Sequence, residues 1–162
     1  MSKIILGVDP GCAKTAYALI EMPNFKLMRF EKIDNEDFRT GCLLEFGMEN
    51  IDDIAIEMVA SYGMPVGREV FETCVWIGRF QEYLTRYDKI VHWVYRGEEK
   101  MTLCGSMKAK DGNIRQALID RYAKFDLKNG KGTKVNPDVF YGVSADVWQA
   151  IAVAVTYYET SN

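Results

Sequence analysis

The run Ile4-Ile5-Leu6-Gly7-Val8 is followed at once by Asp9, Pro10 and Gly11. An unbroken apolar run of this length reads as a buried strand, and Pro-Gly ends it in a tight turn. The carboxylate of Asp9 then points out of a sheet edge. That position is expensive for a structural residue and useful for one that holds a metal or a phosphate. The chain must therefore fold around a sheet whose strand ends carry chemistry, and the remaining sequence has to supply partners for Asp9.

With 162 residues and 48% hydrophobic content, residues 1–162 can form one domain that buries a core without disulfides or a structural metal. No stretch approaches the roughly 20 apolar residues of a membrane span, and the N-terminus lacks the regions of a signal peptide. A cytoplasmic protein is expected. Cys12, Cys42, Cys74 and Cys104 form no CxxC pair, and His92 is the single histidine. Neither a zinc site nor a disulfide framework is expected on this basis, and the cysteines read as reduced, mostly buried small side chains.

The net charge of −3 hides a strong asymmetry. Residues 1–58 hold 6 bases against 11 acids, whereas residues 96–134 hold 10 bases against 5 acids. A basic stretch inside an acidic protein is a candidate phosphate-binding face.

Alternation and turn signals predict strands over 3–9, 15–22 and 25–33, the last two joined at Pro23-Asn24 as an antiparallel meander. A helix over 36–48 follows, then a short strand over 52–58 that again ends near an acid, Glu57. Val70, Phe71, Cys74, Ile77, Phe80 and Leu84 have helical spacing within 68–86, and 89–95 reads as a fifth strand. Asp111 is placed to cap a helix running to about Lys124, residues 126–137 read as a mobile basic loop, and Ser144 is placed to cap a last helix with Val147, Ala150, Ile151, Ala154, Val155 and Tyr158 on its apolar face. This order describes an α/β sheet with mixed strand directions. Strands one and four lie side by side in it, about 4.8 Å apart, so Asp9 and Glu57 can share a metal, with Asp146 as a third acid.

Gly7-Val8-Asp9-Pro10-Gly11, Ile54-Ala55-Ile56-Glu57-Met58-Val59, the helix ending Gly78-Arg79-Phe80, the segment Arg96 to Leu118 and Asp146-Val147-Trp148-Gln149-Ala150-Ile151 occur in this order along the chain. Together they resemble the RuvC-like Holliday-junction resolvases of the RNase H superfamily. The resemblance implies an RNase H-like fold, a five-stranded mixed sheet of order 3-2-1-4-5 flanked by helices. It also implies a structure-selective endodeoxyribonuclease that resolves branched DNA by paired nicks leaving 5′-phosphates. Catalysis would fall to Asp9, Glu57 and Asp146, using Mg²⁺, with Mn²⁺ as a substitute, as two ions per site. A homodimer matches a substrate cut at two symmetric positions, and the helix over 68–86 is the expected interface.

Two departures from the family pattern matter. Its last helix offers two acids three residues apart, whereas this chain has Asp146 and then Gln149. Either three carboxylates suffice, with Gln149 or a water in the fourth ligand place, or another acid such as Asp111 or Asp138 contributes; the first reading is adopted. The loop 60–67 lacks the family's stacking phenylalanine, with Tyr62 or Met64 available instead. Such departures point to a phage-encoded branch. Contacts to DNA are expected from Tyr62, Arg68, Lys100, Lys108, Lys110, Arg115, Lys131 and Lys134.

Other classes are open. Asp9-Pro10-Gly11 with Thr15 also resembles the first phosphate loop of actin-like and sugar-kinase ATPases, but no second such loop follows. A branched-DNA binder that lost cleavage through Gln149, or a ribonuclease H acting on RNA–DNA hybrids, would share the same residues. His92 reads as a strand residue, and Trp76, Trp93 and Trp148 as core or interface residues.

Overall fold

A computed structural model describes all residues 1–162. Five strands, β1 (Lys3–Asp9), β2 (Lys14–Met22), β3 (Lys26–Asp34), β4 (Asp53–Met58) and β5 (Val91–Tyr95), form one sheet of order β3-β2-β1-β4-β5. β1, β2 and β3 are an antiparallel meander, while β4 and β5 run parallel to β1. This is the mixed five-stranded sheet that the sequence implied.

Helices cover both faces. On one side Leu6, Val8, Tyr17, Ile54 and Ile56 pack against Phe38 and Leu43 and against Ile77, Phe80 and Leu84 of the helix Arg68–Thr85. On the other, Ile5, Ala16, Ala18 and Ile20 meet the closing helix Ala145–Ser161 and the helix Asp111–Tyr122. Even-numbered residues of β1 therefore face one layer and odd-numbered residues the other, as strand alternation requires. No helix is long and apolar enough to cross a membrane.

The expected helix over 36–48 is a composite, with a π-helical turn at Phe38–Cys42 between short α-helical pieces. Residues 96–104, which the sequence reading treated only as a basic segment, form an α-turn at Arg96–Glu99 continued by a π-turn at Lys100–Cys104. The four cysteines are unpaired, and only Cys42 is fully buried. Trp148 is a core residue, Trp76 is half-buried against Phe80, Trp93 is exposed on the edge strand, and His92 packs on the Tyr157 ring.

Candidate active site

The last paired residues of β1 and β4 are Val8 and Ile56, so the next step brings Asp9 beside Glu57 at the carboxyl ends of two parallel strands. Ala55 packs on Val153 of the closing helix, and Glu57, two residues on, points to the same side. Ile5 packs on that helix too, which directs Gly7 and Asp9 toward it. Gly7 allows close approach: a Cβ there would lie 2.8 Å from the Ala154 Cβ and would overlap the Ala150 carbonyl oxygen. The first turns of the closing helix are thereby held at the strand ends, and Asp9, Glu57, Asp146 and Gln149 line one cavity with Arg96 and Arg115.

The turn after Asp9 is tied down by buried Asn35. Its amide nitrogen donates to the Gly11 carbonyl at 2.9 Å, its backbone N–H donates to the Ala13 carbonyl at 3.0 Å, and its side-chain oxygen accepts from the Thr15 hydroxyl at 2.6 Å. Thr15 is fully buried and so commits its hydroxyl to Asn35. A phosphate-loop role for Thr15 is unsupported by that geometry.

Burial raises the Asp9 carboxyl most, followed by the charge of Glu57 and a hydrogen bond with it, to about 9. Burial also raises Glu57, while the bond with Asp9, the Arg96 guanidinium and the Gln149 amide oppose that shift. The two carboxyls stand as a coupled acidic pair that strongly prefers to hold a proton or meet a cation. Asp146 lies farther out, ion-paired with Lys32 of β3, and that partner holds the Lys32 ammonium above its ordinary range. In this conformation no group of three or more His, Cys, Asp or Glu side chains is arranged to enclose a metal ion.

Glu99, absent from the sequence reading, is completely buried behind Gln149. One of its oxygens accepts from the Gln149 amide nitrogen and from Arg96 at 3.1 Å. Burial first, then the charge of Glu57, raises its carboxyl to about 8, against the opposing pull of Arg96 and Gln149. Arg96 also pairs with Asp111. The signal for Glu99 was weak because Glu98 stands next to it and is chemically identical. Only helical phase separates them: Glu98 accepts from the Tyr95 backbone N–H at 2.7 Å, and Glu99 points inward.

Neither alternative fourth acid behaves as a strand-end ligand. Asp111 lines the cavity but is held by Arg96, and it does not cap its helix; the Asn113 side chain does, accepting from the Lys110 N–H at 2.9 Å. Ser144 occupies the expected cap position, yet its side chain makes no capping bond. Asp138 immediately follows the basic loop 126–137 and is hydrogen-bonded to its start. Its carboxylate accepts the backbone N–H groups of Lys124, Phe125, Asp126 and Val139, while Asp126 accepts those of Asn129, Lys131 and Gly132. These two acids act through backbone amides, which leave no side-chain pattern for a sequence reading to find.

The expected DNA-contacting residues divide by position. Tyr62 lines a second opening onto Asp9 and Glu57, and Arg115 stands over the Trp148 ring at 5.5 Å, facing both the acidic cavity and a neighbouring one shared with Lys131. Lys108, Lys110 and Lys134 are exposed and line none of these cavities, and Lys100 is half-buried in the π-turn. Arg68 is exposed and pairs with Glu72 at 2.6 Å.

Sheet order, strand directions and the placement of the helices define a RuvC-like RNase H fold. Among solved structures, Thermus thermophilus RuvC in complex with a Holliday-junction substrate matches with a TM-score of 0.75 at 11% identity, over 98% of this chain and 94% of that one. A second Thermus thermophilus RuvC structure matches with a TM-score of 0.70 at 13% identity, over 98% and 96%. No family model matches the sequence, and no curated protein does either.

Proposed function

We propose that this chain is a structure-selective endodeoxyribonuclease that resolves four-way DNA junctions by paired, metal-dependent nicks. The observation that carries the reading is the meeting of Asp9 and Glu57 at two parallel strand ends with Asp146 and Gln149 on the helix above them. All four offer oxygen atoms, the donors that Mg²⁺ and Mn²⁺ take. The mutual crowding of Asp9 and Glu57 is the electrostatic state that a divalent cation relieves. The residues present therefore fit such ions by their donor chemistry: Asp9, Glu57, Asp146 and Gln149 would hold them, once Asp146 leaves Lys32.

Bound ions would supply a more acidic water and neutralise charge on the phosphate. The chain's own part is orientation. Asp9 and Glu57 would hold the ions at the rigid strand ends, and Arg115 and Lys131 offer positive charge to the phosphate backbone along the adjoining groove. Hydrolysis at the 3′ oxygen leaves a 5′-phosphate and a 3′-hydroxyl.

Cutting two symmetric strands calls for two sites about a two-fold axis, hence a homodimer. Phe71 and Val75 are exposed on one side of the helix Arg68–Thr85, which supports that helix as the interface. The RuvC structure seen with a Holliday junction supports the same class of substrate here.

The test is cleavage of a labelled four-way junction beside the matching linear duplex, with Mg²⁺, Mn²⁺ or EDTA, using wild type and Asp9→Asn. Paired metal-dependent nicks that vanish in the variant while binding persists are expected. Tight junction binding with no cutting in either metal would replace the nuclease by a branched-DNA-binding protein. Preferential cutting of RNA–DNA hybrids would make it a ribonuclease H.

A further inference from the structure

Only two charged side chains in the molecule are fully buried, Glu99 and Asp138. Asp138 is satisfied by backbone amides. Glu99 is not: its Oε2 accepts from Arg96 and Gln149, and its Oε1 has no partner at all. A buried carboxyl oxygen without a partner is rare in a native interior and calls for a physical reason.

The position of Glu99 supplies one. Gln149 stands one turn after Asp146, where the helix presents a side chain to the same cavity, and it brings no charge there. Its amide nitrogen is committed to Glu99. An amide carries one oxygen and one nitrogen, so the oxygen is the atom left for a cation. Directly behind the neutral residue, on a different element, lies a buried carboxyl group.

Building on the two-cation reading above, we infer that Glu99 supplies the fourth negative charge of the metal site, acting through Gln149 from the turn that follows β5. Once bound cations displace the protons of the buried pair and of Glu99, Asp9, Glu57, Asp146 and Glu99 would together carry four negative charges, enough to balance two divalent ions. Gln149 is the connection: Glu99 fixes its amide orientation and makes its oxygen a better donor, as outer acceptors do for metal-bound side chains. Glu99 is thus a positioning residue. Its Arg96 contact anchors it and does not complete it, since Oε1 remains free.

The experiment measures Mn²⁺ binding to the DNA-free protein by the loss of the free-ion paramagnetic resonance signal, with thermal unfolding in EDTA as a check on folding. Wild type, Glu99→Gln, Gln149→Glu and the double variant Glu99→Gln/Gln149→Glu are compared. Glu99→Gln is expected to fold and to bind Mn²⁺ at least ten-fold more weakly. The double variant, which returns the charge to the closing helix, is expected to recover to within about three-fold of wild type. Binding by Glu99→Gln within two-fold of wild type, or a double variant no better than Glu99→Gln, overturns the inference and leaves the nuclease reading standing. Wild type that binds no Mn²⁺ sinks both.

Should Glu99→Gln fail to fold, the side-chain amide resonances of Gln149 in the wild-type chain decide. They are expected to shift with Mg²⁺ at the concentration that raises the melting temperature. Resonances that stay put during that titration overturn the inference.

Discussion

Gly7 and Ala154 meet where β1 crosses the closing helix, and a Cβ on Gly7 would come within 2.8 Å of the Ala154 Cβ. This contact sets how near Asp146 and Gln149 stand to Asp9, because all three are placed by the same helix and strand. Gly7→Ala is expected to destabilise by roughly 1–3 kcal/mol, the usual range for overpacking a tight core, and to loosen metal binding in the folded fraction. Urea unfolding followed by Mn²⁺ titration checks both; a Gly7→Ala protein with wild-type stability and affinity would show that the close approach is dispensable.

Metal-free stability should fall with rising pH. Asp9 is raised to about 9 and Glu99 to about 8 in the folded chain, against roughly 4 for carboxyls of an unfolded chain. Between those limits the folded state binds more protons than the unfolded one, so its stability is greatest on the acidic side and is lost as pH rises. Asp138 acts in the opposite sense: burial raises it, but four backbone donors outweigh burial and hold it below the ordinary range, so its contribution disappears only in stronger acid. Melting temperature in EDTA is therefore expected to peak near pH 5 and decline toward pH 9, with a shallower decline in Asp9→Asn. Added Mg²⁺ should restore most of the loss near pH 8. A melting temperature that climbs from pH 5 to 9 without metal contradicts the burial assigned to these acids.

The basic loop depends on Asp138. Replacing it with Ala strands the amides of Lys124, Phe125, Asp126 and Val139. A cost of about 2–4 kcal/mol is expected, since charge-assisted bonds to buried groups are lost together. Hydrogen exchange gives the sharper reading: the Phe125 and Asp126 amides should exchange far faster in Asp138→Ala, while those of β1 keep their protection relative to global unfolding.

Arg115 sits between the acidic cavity and the basic groove. Arg115→Ala is expected to weaken junction binding and to lower the slope of log affinity against log salt by about one, the signature of a lost phosphate contact. An unchanged slope places the DNA elsewhere. Lys134, exposed and outside these cavities, serves as the comparison, with a smaller expected effect.

Much of this architecture was readable from the chain. Uninterrupted apolar runs and the Asp-Pro-Gly turn marked β1, the Pro23-Asn24 turn marked the meander, and the spacing of Ile77, Phe80 and Leu84 marked a helix packed on the sheet. These signals are local, and burial writes them directly into residue order. The strand-end acids Asp9 and Glu57 were legible for the same reason, because each interrupts or ends an apolar segment.

What tertiary structure alone decided are the partnerships made across distance. Lys32 meets Asp146 across 114 positions of sequence, and Glu99 meets Gln149 across 50. Neither pair leaves a periodic trace, since one polar side chain facing another looks in sequence like any solvated residue. The ordering of the loop by Asp126 and Asp138 is equally silent, because backbone amides are the same at every position. Sequence determined the five strands, the main helices and where two of the acids stand; packing determined which charges are buried together, because that depends on the distance between elements and not on the order of residues within them.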